Sequence, residues 1–448
     1  MFAHQSRLLL RHAAPMLIAQ LASMGMVVID TVLLGHYGTE DLAAVAVGSG
    51  IYVAVIVALA GIVQAVAPIV AQRKGAGRDG EIAGSLQQAF WLALLLTVPG
   101  ILFLRHPDAL LALATIAPGI EAKARAYLAL LAWGIPAALL YRTFYAFANA
   151  LGQPRPLMLI SLVSMLLHGV VAWLLVSGRF APTASGADFS GVLGCGASNV
   201  LVGWFALCFG AVHMVCSPVF APYRLLHGWQ APRRAAQREL LRLGLPMGFS
   251  TLVEISAFTL IALFVAQLGA TVVAGHRIVA NLAAICYMLP LALAMATLAQ
   301  VGQAAGARDW RRARAAAGAG LLLAGALATV LGALLWLAAQ AVIGAYTSDP
   351  AVRAVALSLI AYVAIYQVFD ALQTVAAYAL RGYQITFVPM FVHIVCFWLV
   401  GLLGGWWLAF GIAAPLGVAG FWIAALASLV LAAALLGGLL WRTLRALP

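Results

Sequence analysis

Charge is what this chain has least of. Only 8% of its 448 residues are charged and 13 are acidic, whereas a soluble domain carries roughly 25% charged residues. That scarcity excludes a water-exposed globular fold. The apolar runs are continuous, which excludes a transmembrane β-barrel, whose strands alternate over about 10 residues. Cysteine is sparse as well: the five (Cys195, Cys208, Cys216, Cys286 and Cys396) show no CxxC spacing, so neither a metal site nor a disulfide framework is indicated. DDxxD, HExxH and GxSxG are all missing, which leaves a membrane-embedded enzyme without its usual machinery.

What fills the chain is hydrocarbon. Hydrophobic residues make up 65% of it, and its mean hydropathy is +1.04. A spanning helix needs about 20 apolar residues, and runs of that size predict helices near 13–35, 42–70, 82–104, 121–148, 157–178 and 192–216. A second set of six follows near 243–268, 272–301, 314–345, 352–380, 387–411 and 415–441. The expected fold class is therefore an all-α polytopic membrane protein with twelve spans. Its expected division is an amino-terminal lobe 1–216, a basic linker 217–242 and a carboxyl-terminal lobe 243–448. Residues 1–35 look superficially like a signal peptide, but Asp30 interrupts the run and no small-residue cleavage site is evident, so a retained first helix is expected.

The net charge of +12 would suggest nucleic acid as partner in a soluble protein. Its distribution points to topology instead, because Lys and Arg gather in cytoplasmic loops. Nineteen basic residues fall on one side, including Arg7, Arg73, Lys74, Arg233, Arg234, Arg238, Arg242 and Arg311, and six fall on the other: Arg105, Lys123, Arg125, Arg179, Arg277 and Arg353. Both termini are accordingly expected in the cytoplasm, with the chain a multi-pass protein of the inner membrane and its partner the lipid bilayer rather than nucleic acid. The segment Pro232–Arg242 reads as a linker with a snorkelling basic face.

The two sets of helices repeat. Pro15-Met16 matches Pro246-Met247, Gly38 matches Gly269, and Gln72-Arg73-Lys74-Gly75-Ala76 matches Gln303-Ala304-Ala305-Gly306-Ala307, all at an offset of about 231 residues. Ala150-Leu151-Gly152 answers Ala379-Leu380-Arg381-Gly382 within one residue. Six spans per copy make the repeats parallel. Architectures of that kind bind substrate near the midplane and alternate access by rocking one bundle against the other.

Ten of the acids, among them Glu40, Asp41, Asp108, Glu121 and Asp188, lie in or near loops, but Asp30, Glu254 and Asp370 sit within apolar helices. An aspartate at mid-membrane costs roughly 2.5–3.5 kcal/mol on insertion scales. Three such residues point to a site for a cation or proton. Tyr366 stands one turn before Asp370 on its face, and Tyr287 offers a hydroxyl or a ring face to a cation. Two carboxylates in a low-dielectric pocket resist simultaneous ionisation, so Glu254 and Asp370 are expected to hold Na+ or H+. For Asp30 the plausible partners are Gln20, Asn149 and His168.

With these acids placed, the chain resembles the multidrug and toxic compound extrusion (MATE) family, in particular its bacterial NorM branch. The pieces that carry the resemblance are Asp30 within Val28-Ile29-Asp30-Thr31-Val32-Leu33-Leu34-Gly35, Gly194-Cys195-Gly196, Glu254, Tyr366-Gln367-Val368-Phe369-Asp370, Arg381-Gly382 and Gly420-Phe421-Trp422. It implies two six-helix lobes around a V-shaped cavity and secondary active export of organic cations (drugs and dyes) by antiport with Na+ or H+, in a monomer without a cofactor. By position, Glu254, Tyr287, Tyr366 and Asp370 match the carboxyl-lobe cation site of the family and Asp30 its amino-lobe acid. His168 and Ala172 stand where the family often has asparagines. A lipid-linked oligosaccharide flippase of the same superfamily is the alternative, but it would want basic residues inside the cavity, and almost every Arg here lies at a helix end.

Overall fold

In a computed structural model the chain is helical throughout the described residues, which are 2–111, 117–179, 190–225 and 228–446. Asp188 lies outside them. Twelve helices are long and apolar enough to cross a membrane. They are α1 (Phe2–Tyr37), α2 (Thr39–Gly75), α3 (Asp79–Arg105), α4 (Pro118–Ala150), α5 (Pro154–Val176), α6 (Gly191–Cys216), α7 (Arg234–Leu268), α8 (Ala270–Gly306), α9 (Trp310–Leu337), α10 (Pro350–Gly382), α11 (Phe387–Gly411) and α12 (Val418–Ala446). The protein is a multi-pass membrane protein.

Several helices outrun their apolar cores. α1 begins at Phe2 and α7 at Arg234, well before the hydrophobic runs expected at 13 and 243. Hydropathy reports where the bilayer is, whereas a helix continues for as long as nothing breaks it. The prolines inside α1 and α7, Pro15 and Pro246, do not end them. Part of the expected linker is therefore the first turns of α7. In the other direction, the run expected at 314–345 is two helices, because the chain bends at Ala338 and a short helix Ala339–Tyr346 follows α9. α11 is wound as a π-helix over Ile394–Leu403.

Contacts group the chain into two compact units. The amino unit comprises Ile18–Val70 and Arg78–Gly248; the carboxyl unit comprises Met1–Leu17, Ala71–Gly77 and Phe249–Pro448. In the amino unit α5 packs along α6, and α4 along α2, α3 and α6. In the carboxyl unit α10 is the central helix, flanked by α8, α9 and α12. Each unit has its own apolar core, around Leu128, Leu131, Ile135 and Leu139 in the first and around Leu359, Val363, Tyr366 and Leu429 in the second.

The internal repeat is visible in the backbone. Past the end of α2, Gly77 turns left-handed (φ 68°) and donates its N–H to Lys74 O; past the end of α8, Arg308 does the same (φ 56°), donating to Ala305 O. After α4 and α10 the pattern recurs, with Gly152 (φ 75°) bonded to Asn149 O and Gln384 (φ 62°) bonded to Arg381 O. The two Gln-x-x-Gly motifs also pack on each other within the carboxyl unit. A Cβ on Gly75 would stand 1.8 Å from Gln303 O, and one on Gly306 would stand 2.0 Å from Gln72 O. This reciprocity, where each copy's glycine meets the other copy's glutamine backbone, is the contact expected of a two-fold related pair.

At the ends of the spans, the sparse basic side is heavily neutralised. Lys123 bridges Asp41 at 2.9 Å and Glu40 at 3.2 Å. Arg125 pairs with Asp108 and with Glu121, and its guanidinium, hydrogen-bonded to Asp108, holds that carboxyl below its usual range. Arg105 and Arg179 lie over the rings of Trp133 and Trp173, aromatic residues of the kind that collect at membrane interfaces.

The motif contact is testable. Gly306→Ala must displace backbone, so it should cost more than the roughly 1–3 kcal/mol of ordinary overpacking and lower the folded yield and melting temperature in detergent. Gly437→Ala, with nothing within 4 Å of the new methyl, should melt like the parent. Equal melting of all three proteins would contradict the packing.

Candidate functional site

Each unit buries acid among its helices, and the two do so differently. In the amino unit Asp30, on α1, is only 9% exposed. Its Oδ1 lies 2.8 Å from Nε2 of His168, on α5, and its Oδ2 accepts a hydrogen bond of 2.9 Å from Nδ2 of Asn199, on α6. Asn199 also donates to Cys195 O, one turn earlier, at 3.0 Å, and the Cys195 thiol makes a further side-chain contact with Asp30. Three helices thus converge on one carboxylate. His168 is completely buried and its Nδ1 has no partner among the described residues. A neutral ring that donates from Nε2 leaves only a lone pair unmatched at Nδ1, whereas an imidazolium would leave a donor unmatched, which is the costlier arrangement.

Of the partners expected for Asp30, the structure brings His168 to it. Gln20 lies ten residues earlier on the same helix, about 15 Å along the axis. Asn149 is buried in the last turn of α4. None of the hydrogen bonds to Asp30 comes from it. Asn199 was not singled out from the sequence. The available signal was an amide in an apolar helix one turn after Cys195, facing the same way.

In the carboxyl unit Glu254 (α7), Tyr287 (α8), Tyr366 and Asp370 (both α10) lie within electrostatic reach of one another. α8 and α10 pack along their lengths. Asp370 is 4% exposed, and its Oδ1 accepts a hydrogen bond of 3.1 Å from Nε2 of Gln373. The same amide nitrogen donates to Thr374 Oγ1 at 2.9 Å, and its Oε1 is buried without a partner. Thr374 in turn meets the Tyr287 hydroxyl. Tyr366 is wedged edge-on between Phe258 and Trp422. Gln373 and Thr374 are the residues that sequence reasoning missed here; both sit within four residues of Asp370 on α10, where an uninterrupted helix places them beside it.

Glu254 is half-buried and forms no hydrogen bond or ion pair among the described residues. Arg381, at the end of α10, is near enough to act on it through space, but its guanidinium lies 4.3 Å above the Tyr378 ring rather than on a carboxylate. Among the described residues no arginine pairs directly with either acid, so these carboxylates have polar neighbours and no fixed counter-charge there.

Twelve apolar spans with acids set among them define a multi-pass membrane protein. The MatE family matches the chain twice, over residues 15–174 and 246–407, so that the matches begin at the two repeat-related prolines. The chain belongs to the MatE family, the multidrug and toxic compound extrusion transporters, and is not an enzyme. It is 52% identical over 435 residues to the probable multidrug resistance protein NorM of Aromatoleum aromaticum, covering 96% of this chain and 93% of that protein. It is 37% identical over 399 residues to the multidrug resistance protein PmpM of Pseudomonas aeruginosa, covering 89% and 83%. In fold it is similar to the eukaryotic MATE transporter AtDTX14, with a TM-score of 0.87 at 20% identity over 98% of this chain and 96% of that one. An outward-facing multidrug resistance MATE transporter of the MOP superfamily superposes with a TM-score of 0.89 at 18% identity, over 99% and 96%.

The Asp30 network makes its own prediction. His168→Leu strips a buried carboxylate of one of its two fixed donors and should destabilise the protein by about 1–3 kcal/mol. Asp30→Asn keeps one acceptor oxygen and removes the buried charge, so it should cost less than His168→Leu when melting in detergent is compared. The reverse order would mean that His168 does not support Asp30.

Proposed function

We propose that this NorM homologue is a secondary active multidrug exporter of the inner membrane that moves organic cations outward in antiport with Na+ or H+. The coupling ion is held at Glu254 and Asp370, with Tyr366 and Tyr287 beside them and Asp30 as a second, separate acid. The observation that carries this reading is the missing counter-charge: Asp370 is buried with a single amide donor, and Glu254 has no ion-pair partner among the described residues.

The physical sequence is short. A carboxylate in a low-dielectric site is costly unless neutralised, and a proton or a sodium ion neutralises it equally well. An organic cation competes for the same negative charge, so its arrival and the ion's departure are linked through one site. The membrane potential contributes about 2.3 kcal/mol per elementary charge for each 100 mV, so inward movement of the coupling ion can drive outward movement of a drug. Two parallel repeats and a six-plus-six arrangement suit alternating access. The excess of arginine on the side that holds both termini supports a cytoplasmic location for them.

Asp370→Asn and Glu254→Gln should each leave expression at the parental level and abolish energised ethidium efflux from cells. Full efflux in either variant would remove the coupling assignment. In proteoliposomes an imposed sodium gradient and an imposed pH gradient should not be equivalent: one of them should drive uptake of the dye against its gradient and the other should not. Uptake without either gradient would exclude antiport.

A further inference from the structure

The segment that leads into α7 is held far more firmly than a solvated linker needs to be. Two buried glutamines of α3 fasten it. Gln88 Nε2 donates to Ala231 O at 2.9 Å, and Gln88 Oε1 accepts from the Arg233 N–H at 2.8 Å. Gln87 bonds Leu225 O at 3.0 Å through Nε2 and accepts from the Gln230 N–H at 3.0 Å. Trp91 adds a bond to Gln230 O at 3.0 Å, and Gln237 bonds the backbone carbonyl of Gln88 at 2.9 Å.

What this scaffold presents is a row of three arginines. Arg234, Arg238 and Arg242 recur at helical spacing on the first turns of α7 and are exposed. Together with Pro232, Leu241 and Leu245 they line a groove of ≈ 620 Å³. Leu245 is 53% exposed and Trp229, stacked on Phe90, is 48% exposed. The lining of the groove is therefore both basic and apolar. None of the three arginines forms an ion pair among the described residues. Glu239 is the single acid among the arginines of this stretch, so the surface keeps a clear positive excess. Arg233 and Arg234 also stand where the helix dipole is positive and an anion, not a cation, is favoured.

We propose that this groove binds the phosphate of an anionic glycerophospholipid. Guanidinium groups take phosphate oxygens in paired hydrogen bonds, and basic pockets beside spanning helices on the arginine-rich side suit lipid headgroups. Leu241 and Leu245 in the lining fit the start of the acyl chains, which a free phosphate or a nucleotide lacks. The role of the glutamine clasp is to hold the arginines in register before the lipid arrives.

Native mass spectrometry of the full chain in detergent, titrated with phosphatidylglycerol or with phosphatidylcholine of the same acyl chains, tests this. The parent should retain phosphatidylglycerol in preference to phosphatidylcholine. Arg238→Gln/Arg242→Gln should cut that preference by on the order of 30-fold, while Arg442→Gln/Arg445→Gln, which removes as much charge at the end of α12, should leave it in place. Glycerol 3-phosphate, the headgroup without its chains, should not displace the lipid. Equal binding of the two lipids by the parent, equal losses in the two double variants, or displacement by glycerol 3-phosphate would each overturn the proposal. The exposed positions of Arg238 and Arg242 keep folding out of the comparison, and matched melting temperatures verify it.

Discussion

A carboxylate among apolar helices has to be compensated, because neither lipid nor packed hydrocarbon can solvate it. The two units answer this demand in different ways. Asp30 is compensated from within: His168 and Asn199 bring fixed donors to both of its oxygens. Asp370 receives one amide donor, and Glu254 has no partner at bonding distance among the described residues. An acid that is fully satisfied by its neighbours gains little from a visiting cation, and one that is not gains much. In the proposed mechanism the carboxyl unit therefore carries the principal ion site, and Asp30 is a separate acid of the amino unit, compensated by its own neighbours.

The repeat separates scaffold from chemistry. Gly77 and Arg308 make the same left-handed turn with the same hydrogen bond, and Gly75 and Gly306 make the same backbone contact in mirror order. The acids do not share this symmetry. At the repeat offset Asp30 corresponds to Ile261 and Glu254 to Ser23, and the stretch Ala138-Leu139-Leu140-Tyr141 that answers Asp370 holds no acid. Duplication supplied two copies of a helical frame, and the ionisable groups then settled at different repeat positions in each. Arg308 and Gln384 show the same divergence at the level of the backbone, since each keeps a conformation that its glycine-bearing counterpart adopts without strain.

Much of this was legible before any coordinates. Twelve spans follow from hydropathy, because the bilayer imposes one length on all of them. The three acids within the spans stand out because almost nothing else there is charged. Asn199, Gln373 and Thr374 did not stand out: a neutral polar residue in an apolar helix becomes informative only when packing decides what it faces. Helix ends were hidden for a different reason. Arg234 to Leu243 reads as a polar stretch, yet it is continuous with α7, since nothing in it breaks a helix and Gln88 holds it in place. The pairing of Gln72 with Gly306 lies beyond sequence altogether, although the matched motifs marked both positions.

The claim at the centre is that a mobile cation completes the site at Glu254 and Asp370. The most direct measurement is ion displacement by a drug: the purified protein is mixed with an organic cation in weakly buffered solution, and released protons are counted, with a parallel titration in which sodium competes for the drug. The account predicts release of protons, or competition by sodium, in the parent and neither in Glu254→Gln/Asp370→Asn. Tight drug binding by the parent with no proton released and no effect of sodium would contradict it.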